Sequence, residues 1–344
     1  MDCKVTIGIP VYNVGRFIRR TLDSVLGQTF PDLEVLICDD CGTDDSIDIV
    51  KEYQHIHPRG RDIRILHQPQ NMGIGAGRNR MIAEARGQYF YSLDGDDTIA
   101  LNTIELLYNT AQQYHAEIVY GSFERVFEHD GLLVRKVQYP YPMKVFASSD
   151  EYSMYAYYRW IQGMNWNYLI DMDVIRRNQL QVTPVAHGYG EDFTYTIDLP
   201  TYVSSAVLLP DITYQYYIRS WSNQPKKKKI LSRDQMLLTL EAIDKKKARY
   251  ELKGKPYYAK RISHLMMIQC SFVCEMLVRR KDFDVPFTNR EIRDRMWHPM
   301  SLWEILSSHT SRRHNLVYYI IGKLPPDLSV LLLRAMAKRY GIGL

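Results

Sequence analysis

Over the first two-thirds of the chain, short β-branched runs alternate with stretches in which apolar residues recur at helical intervals. Val5 to Ile9 is one such run, stopped by Pro10, and Phe17, Ile18, Leu22, Val25 and Leu26 then share a helix face up to Gln28. Leu33 to Cys38 predicts a second strand and Asp39 to Asp45 a polar turn. Ile47, Ile49 and Val50 open a helix whose cap is Asp44 or Asp45. Ile63 to Leu66 predicts a third strand, Arg78 to Ala85 a helix, Tyr89 to Leu93 a fourth strand, Leu101 to Tyr114 a helix, and Glu117 to Tyr120 a fifth strand. This alternation predicts an α/β fold with a largely parallel sheet flanked by helices. Ligands of such sheets sit beyond the carboxyl ends of the strands. Pro10 to Asn13, Asp39 to Thr43 and Asp94 to Asp97 all follow predicted strands, so three polar loops are expected to meet in one crevice.

Residues 139 to 225 read as irregular and aromatic, with Tyr152, Tyr155, Tyr157, Tyr158, Trp160, Trp166 and Tyr168 expected mostly as packing. Lys226 to Lys229 follow Pro225 and mark a boundary. Beyond it Ile262 to Val278 and Leu316 to Lys338 predict amphipathic helices, the second interrupted by Pro325-Pro326. The expected division is therefore 1–225, with a break near 122/123, and a basic helical extension over 226–344.

Composition changes this picture in two ways. The net charge of +5 conceals a division: residues 226–344 hold 25 Lys and Arg against 11 Asp and Glu, or +14, which leaves −9 for residues 1–225. The two parts therefore face different partners. The five cysteines are few and odd in number, as in a reducing compartment, and all five are expected as buried free thiols. Cys38 and Cys41 have CxxC spacing, but the two anions between them oppose the low thiol pKa that redox chemistry needs. Met1-Asp2-Cys3-Lys4 lacks the apolar core of a signal peptide, and no stretch approaches 18 uncharged apolar residues, so the cytoplasm is the expected location.

Asp94-Gly95-Asp96-Asp97 is the most chemically loaded segment. Carboxylates about 4 Å apart repel by roughly 4 kcal/mol at an effective dielectric of about 20. A divalent cation with oxygen ligands, Mg²⁺ or Mn²⁺, offsets that; the alternative is an Asp-rich turn capping the helix near Thr98. Gly73-Ile74-Gly75-Ala76-Gly77-Arg78 has the outline of a dinucleotide fingerprint, but Arg78 stands in the place of the third glycine. The first βα turn, where that motif belongs, reads Pro10-Val11-Tyr12-Asn13, which argues against a nicotinamide enzyme.

Ile9-Pro10-Val11-Tyr12-Asn13, Asp39-Asp40-Cys41-Gly42-Thr43-Asp44-Asp45-Ser46, Asn71-Met72-Gly73 with Arg78-Asn79, and Leu93-Asp94-Gly95-Asp96-Asp97 occur in this order. Together they resemble glycosyltransferase family 2, the inverting nucleotide-sugar transferases of the GT-A fold, over residues 4 to about 220. The resemblance implies a Rossmann-like GT-A sheet with a helical C-terminal extension. It implies that Pro10, Tyr12 and Asp39 bound a base and ribose pocket, with Asp39 or Asp40 accepting from uracil. Asn13, Asn71, Gly73, Asn79 and Asp94 would belong to the same donor site. Arg78 would lie against the donor sugar or diphosphate, the alternative being a surface helix charge. Asp94, Asp96 and Asp97 would hold Mn²⁺ or Mg²⁺. Glu191-Asp192 looks like the family's later acidic pair, with Asp192 taking the acceptor's proton and Glu191 supporting it; a helix N-terminus is the alternative. Arg219, in Tyr216-Tyr217-Ile218-Arg219, would contact the diphosphate. Tyr168, Gly77 and Cys41 depart from the commoner family residues at their positions.

The function implied is metal-dependent, inverting transfer of a hexose-type sugar from a nucleotide diphosphate, UDP-linked, to a glycan or polyprenyl-diphosphate-linked hydroxyl in surface polysaccharide synthesis. A nucleotidyltransferase would need a glycine-rich loop with a following lysine near the first strand, and there is none. A non-catalytic nucleotide-sugar-binding protein would not need Asp94, Asp96, Asp97 and Asp192 together. The basic extension lacks a nucleic-acid recognition motif and is expected on an anionic membrane surface, peripherally on its inner face. The alternative is a solvated face that packs on the catalytic part or forms a homo-oligomer.

Overall fold

The structure, a computed structural model, describes residues 3–129, 132–159, 163–185, 189–219, 230–339 and 341. Lys226 to Lys229 and the side chain of Arg219 lie outside the described residues. The chain forms two compact units, Met1–Tyr152 with Gly163–Pro225, and Ser153–Gln162 with Lys226–Leu344.

The first unit opens with β1 (Val5–Val11), α1 (Gly15–Leu26), β2 (Leu33–Asp39), α2 (Ser46–Ile56), β3 (Ile63–His67), α3 (Ile74–Glu84) and β4 (Tyr89–Ser92). Then come β5 (Thr98–Ile99), α4 (Thr103–Tyr114), β6 (Ile118–His129), β7 (Leu132–Tyr139) and β8 (Lys144–Phe146). It closes with the start of α5 (Ser149–Tyr158), then β9 (Tyr168–Asp171), α6 (Met172–Arg177), α7 (Glu191–Thr196) and β10 (Ala206–Arg219). The strands make one sheet in the order β3-β2-β1-β4-β9-β6-β10-β5, with β7 added to β6 and β8 to β10.

Pairing from β3 to β4 is parallel throughout. Val5, Ile7, Ile9, Val35, Leu36 and Ile37 are fully buried, as in parallel strands covered on both faces. Beyond β4 the sheet becomes mixed, a departure from the largely parallel expectation. β9 runs antiparallel to both β4 and β6, β6 and β10 pair parallel, and β5 is antiparallel to β10. The stretch 139–225, read as irregular, supplies much of this half. Its strands are short or bulged, as β10 is between Leu208 and Tyr214, so no alternation betrays them. Its aromatics do pack: Trp166 stacks on Tyr214 with centroids 4.2 Å apart and on Tyr216 at 5.5 Å.

α3 begins four residues before the predicted Arg78, so the glycine-rich stretch is helical. A Cβ on Gly75 would sit 2.3 Å from the Thr183 carbonyl oxygen, and one on Gly77 would sit 3.3 Å from Cys38 Sγ. These glycines let the helix lie against its neighbours.

The second unit consists of α8 (Arg233–Lys247), α9 (Tyr258–Val278), α10 (Asn289–Asp294), α11 (Leu302–Ser307), α12 (Arg312–Lys323) and α13 (Pro326–Arg339), joined by the Ser153–Gln162 stretch. That stretch lies on the other side of the boundary expected at 225/226, because Tyr157 stacks on Tyr257 and Tyr158 donates to Thr310 at 3.0 Å. By length and composition α9 could cross a bilayer, yet 67% of its apolar window is buried within the protein. Nor is the basic charge uniformly at the surface. Lys247 and Arg261 are fully buried, Lys247 against Asp244 at 2.9 Å and Arg261 donating to the Lys246 carbonyl at 2.6 Å. All five cysteines are free thiols, but Cys41 is exposed and Cys3 half-buried, contrary to the expectation of general burial.

A capping box starts α10: Thr288 Oγ1 accepts from Glu291 N, and Glu291 Oε2 accepts from Thr288 N at 2.8 Å. These backbone and hydroxyl bonds, with Arg233, pull the Glu291 carboxyl down to about 2. Because the folded value lies below the ordinary one of 4.5, the stabilisation is complete above that pH and fades as pH falls toward about 2. Urea titrations of wild type should lose stability over this window, and Glu291→Gln should flatten that part of the profile. Thr288→Ala should cost about 1 kcal/mol at neutral pH.

Candidate active site

β1, β2 and β4 end at the same edge of the sheet, and the loops that follow them meet there. Gly95 passes so close above β1 that a Cβ on it would stand 3.0 Å from the Pro10 carbonyl oxygen. Asn13, at φ +53°, accepts through Oδ1 from Thr43 N at 2.7 Å and so ties the loop after β1 to the loop after β2. Asp40 is buried and accepts from Met72 N at 2.7 Å and Gly73 N at 3.0 Å, clipping the loop after β2 to the start of α3. Gly73 takes φ +84°, a conformation glycine adopts without strain.

Arg78, on α3, is 2% exposed. Its Nη2 donates to Asp94 Oδ1 at 2.9 Å and its Nη1 to Asp192 Oδ1 at 2.7 Å. Burial alone would lower the guanidinium pKa, but Asp94, Asp192 and Glu191 outweigh it and hold it above its ordinary value. The residue is thus neither the exposed helix charge of one expectation nor a guanidinium open to a diphosphate, as in the other. Both terminal nitrogens are committed to carboxylates, so Arg78 joins the loop after β4 to the first turn of α7. Glu191 beside it is buried. Asp94 and Asp192 keep about a quarter of their side-chain surface exposed.

The three aspartates after β4 separate in role. Asp94 and Asp96 are partly exposed, whereas Asp97 is 1% exposed, with Tyr214 Oη donating to Oδ2 at 2.8 Å and Tyr217 N to Oδ1 at 2.9 Å. Burial first, then the charges of Asp96 and Asp94, raise its carboxyl well above the usual carboxylate range. Expected as a metal ligand, Asp97 instead anchors its loop to β10. α1 holds the other side, with Thr21 Oγ1 donating to the Asp97 carbonyl at 2.8 Å and Arg20 Nη2 to the Asp96 carbonyl at 3.1 Å.

Asn79, expected at the donor, makes two bonds to Val182, Nδ2 to its carbonyl at 2.7 Å and Oδ1 from its N–H at 2.8 Å. It positions the strand of chain leading to α7. Asn71 is exposed, and Tyr12 is 50% exposed. Asp39 accepts from Cys41 N at 3.0 Å and meets His67 Nδ1 at 2.8 Å. A hollow of ≈ 350 Å³ opens here, lined in part by Val11, Asp39, Gly42, Ser46 and His67. Of the two carboxylates left open for a base, Asp39 therefore faces a cavity while Asp40 is spent on backbone. His67 escaped the sequence reading; its one signal is its place at the end of β3 in the same sheet edge.

Among the described residues no three His, Cys, Asp or Glu side chains are arranged to hold a metal ion. Asp94 and Asp96 suit a Mg²⁺ or Mn²⁺ held by one or two carboxylates, with substrate phosphates and water completing its shell, and not a closed protein cage.

The parallel half-sheet, its mixed extension and the acidic crevice at the strand ends define a GT-A fold. Staphylococcus aureus TarS 1–349, solved with UDP-GlcNAc, superposes with a TM-score of 0.56 over 98% of this chain and 92% of that one, at 17% identity. Residues 6–180 match the description Glycosyl transferase family 2, and the chain belongs to that family. Glycosyltransferase GlyA of Streptococcus pneumoniae serotype 4 is 35% identical over 133 residues, 38% of this chain and 18% of that protein. Escherichia coli chondroitin synthase is 28% identical over 206 residues, 60% of this chain and 27% of that protein. The chain thus spans well under half the length of these curated relatives.

The role given to Asp97 is checked by two substitutions. Asp97→Ala strands two buried donors and should cost about 2 kcal/mol in urea unfolding. Asp97→Asn, which can still accept from Tyr217 N and donate to the Tyr214 hydroxyl, should cost less than half of that.

Proposed function

We propose that this chain is a glycosyltransferase that moves a sugar from a UDP-type nucleotide donor to a glycan hydroxyl with inversion, in polysaccharide synthesis. The observation that carries the reading is the Arg78 fork, which brings Asp94, from the donor-side loop, and Asp192, from α7, onto one guanidinium. Asp39 and the hollow beside it suit a nucleobase, since a carboxylate accepts from an imide N–H. Half-exposed Tyr12 offers a ring for stacking. The names of the relatives, a chondroitin synthase among them, and a neighbour solved with UDP-GlcNAc support a nucleotide-sugar donor and a glycan acceptor.

In this reading Asp192 is the general base. It removes the proton from the acceptor hydroxyl as that oxygen attacks the anomeric carbon, on the face opposite the departing nucleotide. Arg78 fixes the carboxylate's direction, and buried Glu191 supports the same turn. Inversion requires only this one base. The crevice is rich in carboxylates, and among its described residues the buried Arg78 is already shared by two of them, so a diphosphate needs added positive charge. Asp94 and Asp96 would hold Mn²⁺ or Mg²⁺, which supplies Lewis-acid stabilisation of charge on the leaving diphosphate.

A thermal-shift series with UDP, with and without Mn²⁺, and with NAD as control checks the donor. UDP with metal should stabilise by roughly 2.7 kcal/mol at about 100 times its dissociation constant, and NAD should not. Asp96→Ala should abolish the metal-dependent part of the shift. Asp192→Asn should keep it while lowering transfer by about 10²- to 10⁴-fold. Wild-type transfer by Asp192→Asn would overturn the assignment of the base, and a product with the donor's anomeric configuration would overturn inversion.

A further inference from the structure

The second unit holds two adjoining cavities that sugar transfer in the first unit does not use. One is a groove of ≈ 440 Å³ between α9, α12 and α13. Its α9 wall includes Lys260, His264, Met267, Cys270 and Cys274, spaced by three and four residues and therefore on one helix face. From Lys260 to Cys274 that face runs ~21 Å at about 1.5 Å per residue. Tyr318 of α12 and Met336 of α13 close the other side. Thioether, thiol and ring carbon make most of this lining.

At the Lys260 end the groove meets an open hollow of ≈ 510 Å³ lined by Lys260, His309, Ser311, Arg312, Arg313 and His314. Lys260 and His314 line both cavities, and among the described residues no acidic side chain lines either. Elsewhere in the unit several cations are paired with carboxylates. Arg233 meets Glu291, Lys247 meets Asp244, Lys253 meets Glu304 and Arg279 meets Glu275, all within 3.0 Å. Lys260, Arg312 and Arg313 have no carboxylate partner among the described residues; Lys260 lies 5.7 Å from the Tyr158 ring centroid, and Arg312 Nε donates to the Ser308 carbonyl. Ser311 Oγ is buried without a hydrogen-bond partner in the same hollow. Burial, followed by the charges of Lys260 and His314, pushes the His264 imidazole down to about 4.

A basic hollow with no counter-charge selects an anion, and guanidinium groups with a lysine favour phosphate oxygens. The apolar groove leading from it would be left wet and unfilled by inorganic phosphate alone. Its volume falls in the range of small-molecule sites. The outer face of α13 also exposes Leu328, Leu331 and Leu332 next to Arg334 and Lys338, a surface suited to lying on an anionic bilayer, from which such a ligand would come.

We propose that the second unit binds a membrane lipid with a phosphate head group, the head held by Lys260, Arg312 and Arg313 and one alkyl chain laid along Met267, Cys270, Cys274 and Met336. This site stands apart from the reading of the first unit and does not depend on it.

The test uses the full chain and dodecyl phosphate below its micelle concentration, with dodecanol, butyl phosphate and inorganic phosphate as comparisons, read by calorimetric titration and melting temperature. Dodecyl phosphate should raise the melting temperature and bind at least tenfold more tightly than any of the three. Lys260→Glu and Arg313→Glu should each weaken it at least tenfold, with unchanged circular dichroism and an unchanged shift with UDP and Mn²⁺. Ser271→Trp, which fills the far part of the groove from its exposed rim, should weaken dodecyl phosphate and leave butyl phosphate as it was. Equal affinity for inorganic and dodecyl phosphate, equal affinity for dodecanol, a fall in melting temperature, or indifference to the charge reversals would each overturn the proposal.

Discussion

A single buried guanidinium holds the first unit's crevice together. Arg78 is almost wholly removed from water, and a charge so placed is tolerated only where partners replace its hydration. Asp94 and Asp192 do this from positions 16 and 114 residues away along the chain. The pairing works in both directions. Without Arg78 the two carboxylates would face each other across the crevice; without them the arginine could not stay inside. The loop after β4 and the first turn of α7 therefore reach their places together.

That fork depends in turn on how α3 is seated. Asp40 grips the N–H groups of Met72 and Gly73, Gly75 permits contact with the Thr183 carbonyl, and Asn79 holds both polar groups of Val182. Several polar residues of the crevice rim thus act on backbone, not on ligand. The rim is stiffened before any donor arrives, which lowers the ordering cost of binding.

The parallel half of the sheet was legible because strands buried on both faces are written as unbroken β-branched runs, as in Val5 to Ile9 and Leu33 to Cys38. Its acidic loops were legible from their position after those runs. The second half was not, since short β8 and β9 and the bulged β10 carry no clean alternation. Within the crevice, residue type marked the place but not the duty. Asp39 and Asp40 are neighbours of one chemistry, yet one faces a hollow and the other a helix start. Asp96 and Asp97 differ in the same way, because Tyr214 and Tyr217 reach one of them from more than a hundred positions away. Side-chain burial of this sort is decided by tertiary packing, to which local pattern is blind.

The two units handle charge by opposite means. In the first, carboxylates outnumber cations among the described residues of the crevice, and buried Arg78 is consumed internally. Under the proposed function, negative donor phosphates can join them only with positive charge carried in beside them. In the second, 25 Lys and Arg face 11 Asp and Glu, and the carboxylates present are drawn into ion pairs such as Arg233 with Glu291 and Lys253 with Glu304. Among the described cations left without a carboxylate, Lys260, Arg312 and Arg313 gather at the mouth of an apolar groove. Surface ion pairs contribute little energy individually. Charge that is unpaired, gathered in one hollow and joined to apolar surface has a more specific use than a diffuse basic tail.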